Sequence, residues 1–253
     1  MSRPALALHQ VCKRFGSIEI LRGVTFQIPP GERWAVIGPN GAGKSLLLNV
    51  LSGFIKPSAG TVHLQGEKIN GLQPYAINRR GLSRSFQVTN IFLRLSVYEN
   101  LQCAVLWSLG HRYCFWRRLS ALNDVRQRAD LVLEQIGLSH RRAIVAAELT
   151  YAEQRALELG ITIAGQADVL LLDEPTAGMS QSEAVAAVDL IRNITAGKTL
   201  LMVEHDMQVV FSLADRVAVL VQGEIIACDT PQNVRCNALV QNAYLGNATL
   251  AVR

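Results

Sequence analysis

The residues best equipped for chemistry stand in one short run, Gly38-Pro39-Asn40-Gly41-Ala42-Gly43-Lys44-Ser45. The run matches the phosphate-loop pattern G-x-x-x-x-G-K-S. Its glycines let backbone N–H groups converge on phosphate oxygens with no side chain in the way. A helix starting near Lys44 aims the positive end of its dipole at the same anion. The Lys44 ammonium then reaches the outer phosphates and the Ser45 hydroxyl ligates Mg2+. The expected nucleotide contacts therefore run from Gly38 through Leu46.

A second group follows Val169-Leu170-Leu171-Leu172, an apolar run that ends in Asp173-Glu174. Open α/β sheets bind ligands at the C-terminal edge of their strands. At that edge Asp173 would hold Mg2+, directly or through water, and Glu174 would orient and polarise an attacking water. A third apolar run, residues 199–203, ends in Glu204-His205-Asp206, which puts His205 within reach of a γ-phosphate by the same logic.

These groups need strands to carry them. Trp34-Ala35-Val36-Ile37 reads as a buried strand ahead of the loop, and Leu46, Leu47, Leu48, Val50 and Leu51 read as a helix after it, with Gly53 as its stop. Earlier strands are expected at 5–10 and 23–28, broken off by Pro29-Pro30-Gly31. Small hairpins are expected around Gln65-Gly66-Glu67 and around Gln222-Gly223. Between about 87 and 160 the pattern turns helical, with Leu122, Val125, Ala129, Val132, Leu133 and Ile136 on one face. Ala184, Val185, Val188 and Ile191 mark a later helix. Strands alternating with helices predict a largely parallel sheet, with the hairpins as an antiparallel part.

The 253 residues fit one large α/β domain, and 49% apolar residues are enough for a sizeable core. A net charge of +5 suits an anionic ligand or a site near an anionic membrane face, and is too dispersed to indicate nucleic acid. Five scattered cysteines without a CxxC spacing indicate neither a zinc site nor a redox pair, and predict reduced cytosolic thiols. Met1-Ser2-Arg3-Pro4 lacks the pattern of a secretory leader. The uncharged stretch Cys236 to Val252 is too polar to span a bilayer, so work at a membrane requires docking on other chains.

Taken together, the motifs resemble the ATP-binding cassette (ABC) family, over essentially the whole chain. The resemblance implies the fold of a P-loop NTPase of the ABC ATPase type, a mostly parallel α/β core with an antiparallel β part and an inserted helical subdomain. It implies a single domain 1–253, with core segments 1–86 and 161–253 and a helical subdomain 87–160. Phe15 stands where the family stacks an aromatic on adenine. Gln87 stands at the Q-loop, where it touches Mg2+, belongs to the catalytic set and senses the membrane partner. Asp173 and Glu174 match the Walker B aspartate and the catalytic glutamate, residues 176–180 the D-loop, and His205 the switch histidine. The signature, usually Leu-Ser-Gly-Gly-Gln, is here Leu149-Thr150-Tyr151-Ala152-Glu153. In the family this segment starts a helix and closes over ATP held by the other subunit. Thr150 keeps the hydroxyl, and Tyr151 and Glu153 are familiar in one branch, but Ala152 replaces a glycine. A Cβ where backbone approaches phosphate is expected to weaken closure at that half-site.

Gly81-Leu82-Ser83-Arg84-Ser85-Phe86-Gln87, Val97-Tyr98-Glu99-Asn100 and Ala243-Tyr244-Leu245-Gly246 are similar to the ATPases of importers for branched-chain amino acids and urea. That likeness implies a second, different ATPase subunit, two permease chains and an extracytoplasmic solute-binding protein, with this chain on the cytoplasmic face of the inner membrane. The extra stretch at 106–119, with Trp107, Tyr113, Phe115, Trp116 and several arginines, suggests the larger ATPase of the pair and a candidate membrane or permease contact. Other ATPases of the family stay open as alternatives, namely an exporter subunit for lipid or polysaccharide and a non-transport ATPase of iron–sulfur assembly. A small-molecule kinase fits the Glu174 and His205 pattern less well.

Overall fold

The computed structural model describes residues 3–85, 91–109 and 122–242. Gln87, the 243–246 motif and residues 110–121 of the aromatic–arginine stretch lie outside the described residues. The chain begins with β1 (Leu6–Phe15), β2 (Ile18–Ile28), β3 (Arg33–Ile37), α1 (Lys44–Leu51), β4 (Ala59–Leu64) and β5 (Glu67–Lys68). It continues through α2 (Pro74–Asn78), β6 (Leu82–Arg84), α3 (Val97–Ser108), α4 (Asn123–Gln135) and α5 (Tyr151–Ala164). The last third holds β7 (Val169–Asp173), α6 (Gln181–Ile194), β8 (Thr199–Val203), α7 (Met207–Leu213), β9 (Arg216–Val221), β10 (Glu224–Asp229) and α8 (Pro231–Cys236).

Two sheets form. The larger has the order β10-β9-β3-β8-β7-β6 and is parallel except for the β9–β10 hairpin. The smaller, β2-β1-β4-β5, is antiparallel. Residues alternate across the larger sheet because strand side chains have a period of two. Ala35, Ile37, Leu170, Leu172, Leu200 and Met202 pack toward the helices of the middle segment. Trp34, Val36, Val169, Leu171, Leu201 and Val203 pack toward α1 and the antiparallel sheet. Both faces are covered, which is why these strands read as unbroken apolar runs rather than as alternating ones.

Within the middle segment, α4 lays Val125, Ala129, Val132 and Leu133 into the core, as its 3.6-residue spacing predicts. The helix α5 packs closely on α3 and α4. A Cβ at Gly160 would come 2.9 Å from Ile136 Cδ1 and 3.1 Å from Leu101 Cδ2, so a larger residue requires those side chains to shift.

Three elements differ from the sequence expectation for physical reasons. The strand β1 runs five residues beyond Gln10, where a left-handed backbone (φ 49°) and a register shift break the alternation. The strand β2 starts at Ile18, and Gly23 at φ 70° sits inside it rather than at its start. With three residues, β6 is too short to give a periodic signal, and its place is set by pairing with β7.

Candidate functional site

Three strands of the larger sheet end side by side. Val36 of β3 lies opposite Val203 of β8, and Val203 lies opposite Asp173 of β7. The residues that follow each strand therefore share one edge. They are the phosphate loop, the Asp173-Glu174 pair and Glu204-His205.

The loop's shape depends on its glycines. A Cβ on Gly38 would lie 2.0 Å from the Leu220 carbonyl oxygen, so no other residue fits between β3 and β9 there. Gly43 is the N-cap of α1 at φ 103°, a backbone that side-chain-bearing residues rarely adopt. The helix α1 has neither a capping side chain nor an acidic residue in its first turn. The first-turn amides of a helix lack partners inside it, and here they are left for an anion. The Lys44 side chain is buried and folds back over the loop, donating to the carbonyls of Gly38 (2.7 Å) and Pro39 (3.1 Å). Burial lowers its pKa, while Glu174 and Asp173 pull it back up. Ser45 is exposed and Leu46 half-buried beside it.

Asp173 is buried at the end of β7. Its Oδ2 accepts from Arg84 at 3.0 Å, and its Oδ1 makes no hydrogen bond to any described residue. Burial pushes the carboxyl pKa up, the Arg84 guanidinium opposes this, and the Glu174 carboxylate adds to it. Arg84 also donates to Asn49 Oδ1 (2.8 Å) and Ser52 Oγ (2.9 Å), so one guanidinium ties the end of α1 to β7.

Glu174 takes a left-handed backbone (φ 46°), uncommon for a residue with a Cβ. Its amide donates to the Val203 carbonyl at 2.9 Å, and its carboxylate Oε1 lies 3.9 Å from His205 Nδ1. The His205 side chain is 63% exposed, open to a ligand rather than packed. Its backbone is fixed by Glu204, a fully buried carboxylate that accepts from His205 N (3.1 Å), Thr176 N (3.1 Å) and Thr176 Oγ1 (2.7 Å).

The structure therefore gathers the phosphate loop, Asp173, Glu174 and His205 at one sheet edge. Phe15 is half-exposed at the tip of the β1–β2 hairpin, with Lys13 Nζ 4.7 Å from its ring centroid. The same hairpin reaches the loop further along, where a Cβ on Gly43 would meet Leu21 at 3.0 Å. Thr150, Tyr151, Ala152 and Glu153 form the start of α5. The Thr150 hydroxyl accepts from Glu153 N, and Glu153 accepts from Thr150 N, a reciprocal cap. Glu153 also accepts from Arg141 at 2.8 Å. Gln87 lies outside the described residues.

Three charged side chains that hold the site together were not singled out in the sequence. Arg155 and Glu204 are buried, and the Arg84 side chain is 7% exposed. Arg155 donates to the backbone carbonyls of Asp173 (3.0 Å), Glu174 (2.9 Å) and Pro175 (3.4 Å), and pairs with Glu158 at 2.6 Å. The available signal was a charged pair at i,i+3 on the apolar face of a helix.

Across residues 21–177 the chain matches the model of the ABC transporter family. The chain belongs to the ABC transporter family. It is similar to the high-affinity branched-chain amino acid transport ATP-binding protein LivG of Escherichia coli (strain K12), 37% identical over 257 residues, covering 98% of this chain and all of the relative. BraF, a protein of the same description from Pseudomonas aeruginosa, is 34% identical over 260 residues, again covering 98% and 100%. Among solved structures, an ATP-binding cassette of an ABC transporter in its ADP conformation superposes with a TM-score of 0.82 at 26% identity, over 96% of this chain and 99% of the other. A nucleotide-free cassette superposes with a TM-score of 0.84 at 26% identity, over 95% and 98%. The protein is thus the ATP-binding, ATP-hydrolysing subunit of an ABC transporter. Membership implies assembly with membrane permease chains and pairing of two ATPase subunits. Among the described residues no helix is long and apolar enough to cross a membrane.

Proposed function

We propose that this chain drives an importer of branched-chain amino acids or related small polar solutes, from the cytoplasmic face of the inner membrane, as the larger of two different ATPase subunits. Full-length similarity to two proteins of that description supports the solute class. The observation that carries the catalytic reading is the meeting of loop 38–45, Asp173-Glu174 and His205 at one sheet edge.

In this reading the amides of residues 38–46 cradle the phosphates, and Lys44 exchanges its two carbonyl partners for phosphate oxygens. Phe15 stacks on the base. Glu174 accepts a hydrogen bond from the attacking water. The water oxygen bonds to the γ-phosphorus while the bond to the β–γ bridging oxygen breaks, giving ADP and phosphate. His205, exposed beside Glu174, donates to the γ-phosphate. A buried carboxylate oxygen of Asp173 without a hydrogen bond suits a divalent cation. Ser45, Asp173 and Gln87 would hold Mg2+, which when bound neutralises charge on the outer phosphates. Thr150, Tyr151, Ala152 and Glu153 complete the ATP pocket of the other subunit.

Docking to the permease fits the cleft of about 230 Å3 lined by Ser52, Phe54, Tyr75, Asn78, Ser83 and Arg84. Phe54 and Tyr75 are both more than half exposed there. Arg84 joins the cleft to the site, since its guanidinium lies 6.0 Å from the Phe54 ring and pairs with Asp173. An extracytoplasmic binding protein would deliver the solute to the other side.

The test is transport of labelled leucine, together with ATP hydrolysis, by the complex assembled with its permease. Glu174→Gln is expected to keep nucleotide binding and lose turnover, and Lys44→Ala to lose binding. Near-normal turnover in Glu174→Gln moves the catalytic role elsewhere, and hydrolysis indifferent to leucine and its analogues removes the solute assignment.

A further inference from the structure

We propose that Tyr151 and Arg155 are positioning residues that lock the turn bearing Glu174 to the N-terminal end of α5. One helix end would then set the carboxylate of this chain's own site. The inference rests on the reading of residues 150–153 as the segment that meets the other subunit's ATP.

Two side chains one helical turn apart reach the same turn. Tyr151 is half-exposed, and its hydroxyl donates to the Ala177 carbonyl at 2.9 Å. Its ring covers Gly178, where a Cβ would meet the Tyr151 ring at 3.5 Å. Arg155 is buried and gathers the carbonyls of three successive residues, Asp173, Glu174 and Pro175, onto one guanidinium. The ion pair with Glu158 orients that guanidinium from within α5.

The middle residue of the three is Glu174 at φ 46°. A side-chain-bearing residue keeps such a backbone only where its surroundings over-determine it. Convergent carbonyls pointing at one buried cation supply that constraint. The next residue, Thr176, hangs on Glu204, which also holds the amide of His205. The start of α5 is thereby joined through hydrogen bonds to both Glu174 and His205.

A displacement of α5 therefore moves the turn with it. ATP bound by the other subunit, meeting residues 150–153, would set Glu174 for hydrolysis at the site of this chain. By linkage, any effect of one bound ATP on the affinity of the other site is reciprocal, whereas the effect on the hydrolysis rate need not be. In this branch-type signature a tyrosine replaces the first glycine, and that tyrosine supplies the second attachment.

The experiment measures ATP hydrolysis against ATP concentration in the transporter complex reconstituted in vesicles. Tyr151→Phe removes one hydroxyl at a half-exposed position. It is expected to lower the Hill coefficient from above 1 toward 1, the value for uncoupled sites, because one of the two attachments is lost while Arg155 stays in place. Arg155→Lys keeps the charge but loses the forked geometry. It is expected to lower kcat by roughly tenfold or more with KM changed by less than about twofold, the pattern of a lost transition-state interaction. If Arg155→Lys fails to assemble, Tyr151→Phe decides alone. A Hill coefficient of 1 in the unsubstituted complex, or one unchanged in Tyr151→Phe, overturns the coupling. Lys44→Ala in the same preparation separates the two readings. If it abolishes turnover while Tyr151→Phe behaves as the unsubstituted complex, the clamp alone fails. Normal turnover in Lys44→Ala overturns both.

Discussion

Replacing Arg84 by leucine removes the cation that faces Asp173 and leaves a carboxylate inside the protein. The side chains of the pair are 7% and 3% exposed, so water screens little of their interaction. Breaking a buried ion pair from one side costs about 3–5 kcal/mol, because the remaining charge has no counterpart. The bonds to Asn49 and Ser52 go at the same time, so the upper part of that range is expected. Against a total stability of about 5–15 kcal/mol this is a large fraction, and a protein above the lower end of that range stays folded enough to measure. Urea unfolding of the purified chain gives the cost directly. Arg84→Leu combined with Asp173→Asn should recover about 2 kcal/mol over the sum of the single changes, since no net charge then stays buried.

The pH dependence follows from the same pair. Burial already holds the Asp173 carboxyl above the usual carboxylate range, and Arg84 opposes that shift. Without Arg84 the folded-state pKa rises further above its unfolded value. A raised carboxyl contributes stability that is fully present below the unfolded pKa and is lost as pH rises through the folded pKa. The penalty of Arg84→Leu should therefore shrink as the solution is acidified and grow toward neutral pH. A cost below about 1 kcal/mol, or strict additivity with Asp173→Asn, refutes the view that the pair is a buried, interacting ion pair.

Other substitutions probe other parts of the site. Gly38→Ala is expected to abolish nucleotide binding while the far sheet stays folded, because its Cβ meets the Leu220 carbonyl at 2.0 Å; a fluorescent-nucleotide titration checks it, and normal affinity counts against the close approach. Glu153 has its pKa lowered, chiefly by the Thr150 backbone hydrogen bond and also by Arg141. Its contribution is therefore present above the unfolded pKa and lost as pH falls through the folded one, so Glu153→Gln should flatten the acid limb of thermal stability. Thr150→Ala should cost about 1 kcal/mol through the lost cap, read by the shift in urea midpoint. Ala152→Gly should raise ATPase and transport in the assembled complex if the Cβ crowds a phosphate; unchanged rates would remove the idea that this half-site is weakened.

The parts that meet at the candidate site were legible in the sequence because each lies next to an apolar run. The phosphate loop follows residues 34–37, and the carboxylates follow 169–172. Strands covered on both faces are the easiest to read, and they end where ligands bind. Short or irregular pieces were not legible. β6 has three residues, and β1 passes Gln10 with a shift of register, so neither gives a clean period. α7 has seven residues and is set by the Asp206 cap and its packing. Arg84, Arg155 and Glu204 were hidden for another reason. Their roles depend on partners 89, 18–20 and 28 residues away in sequence, and only the strand order and the packing of α5 bring those partners together.

The Ala152 substitution illustrates what spacing alone leaves undecided. A glycine in a signature suggests a backbone that must be free of side chains. In this chain Ala152 lies in the first turn of α5, between a reciprocal Thr150–Glu153 cap and the Tyr151 contact to Ala177. Alanine suits a helical backbone better than glycine, so the Cβ stabilises the folded chain in isolation. In the proposed reading, any cost comes from outside, at the surface that would face the other subunit's phosphates. The same helix end is thus made more rigid by three neighbouring features, the cap, the tyrosine and the alanine. Rigidity there favours transmitting a displacement through Arg155 over absorbing it locally. The departure from the usual signature therefore points to tighter coupling between the sites at least as much as to a weakened half-site, and the Hill coefficients of Tyr151→Phe and Ala152→Gly separate the two.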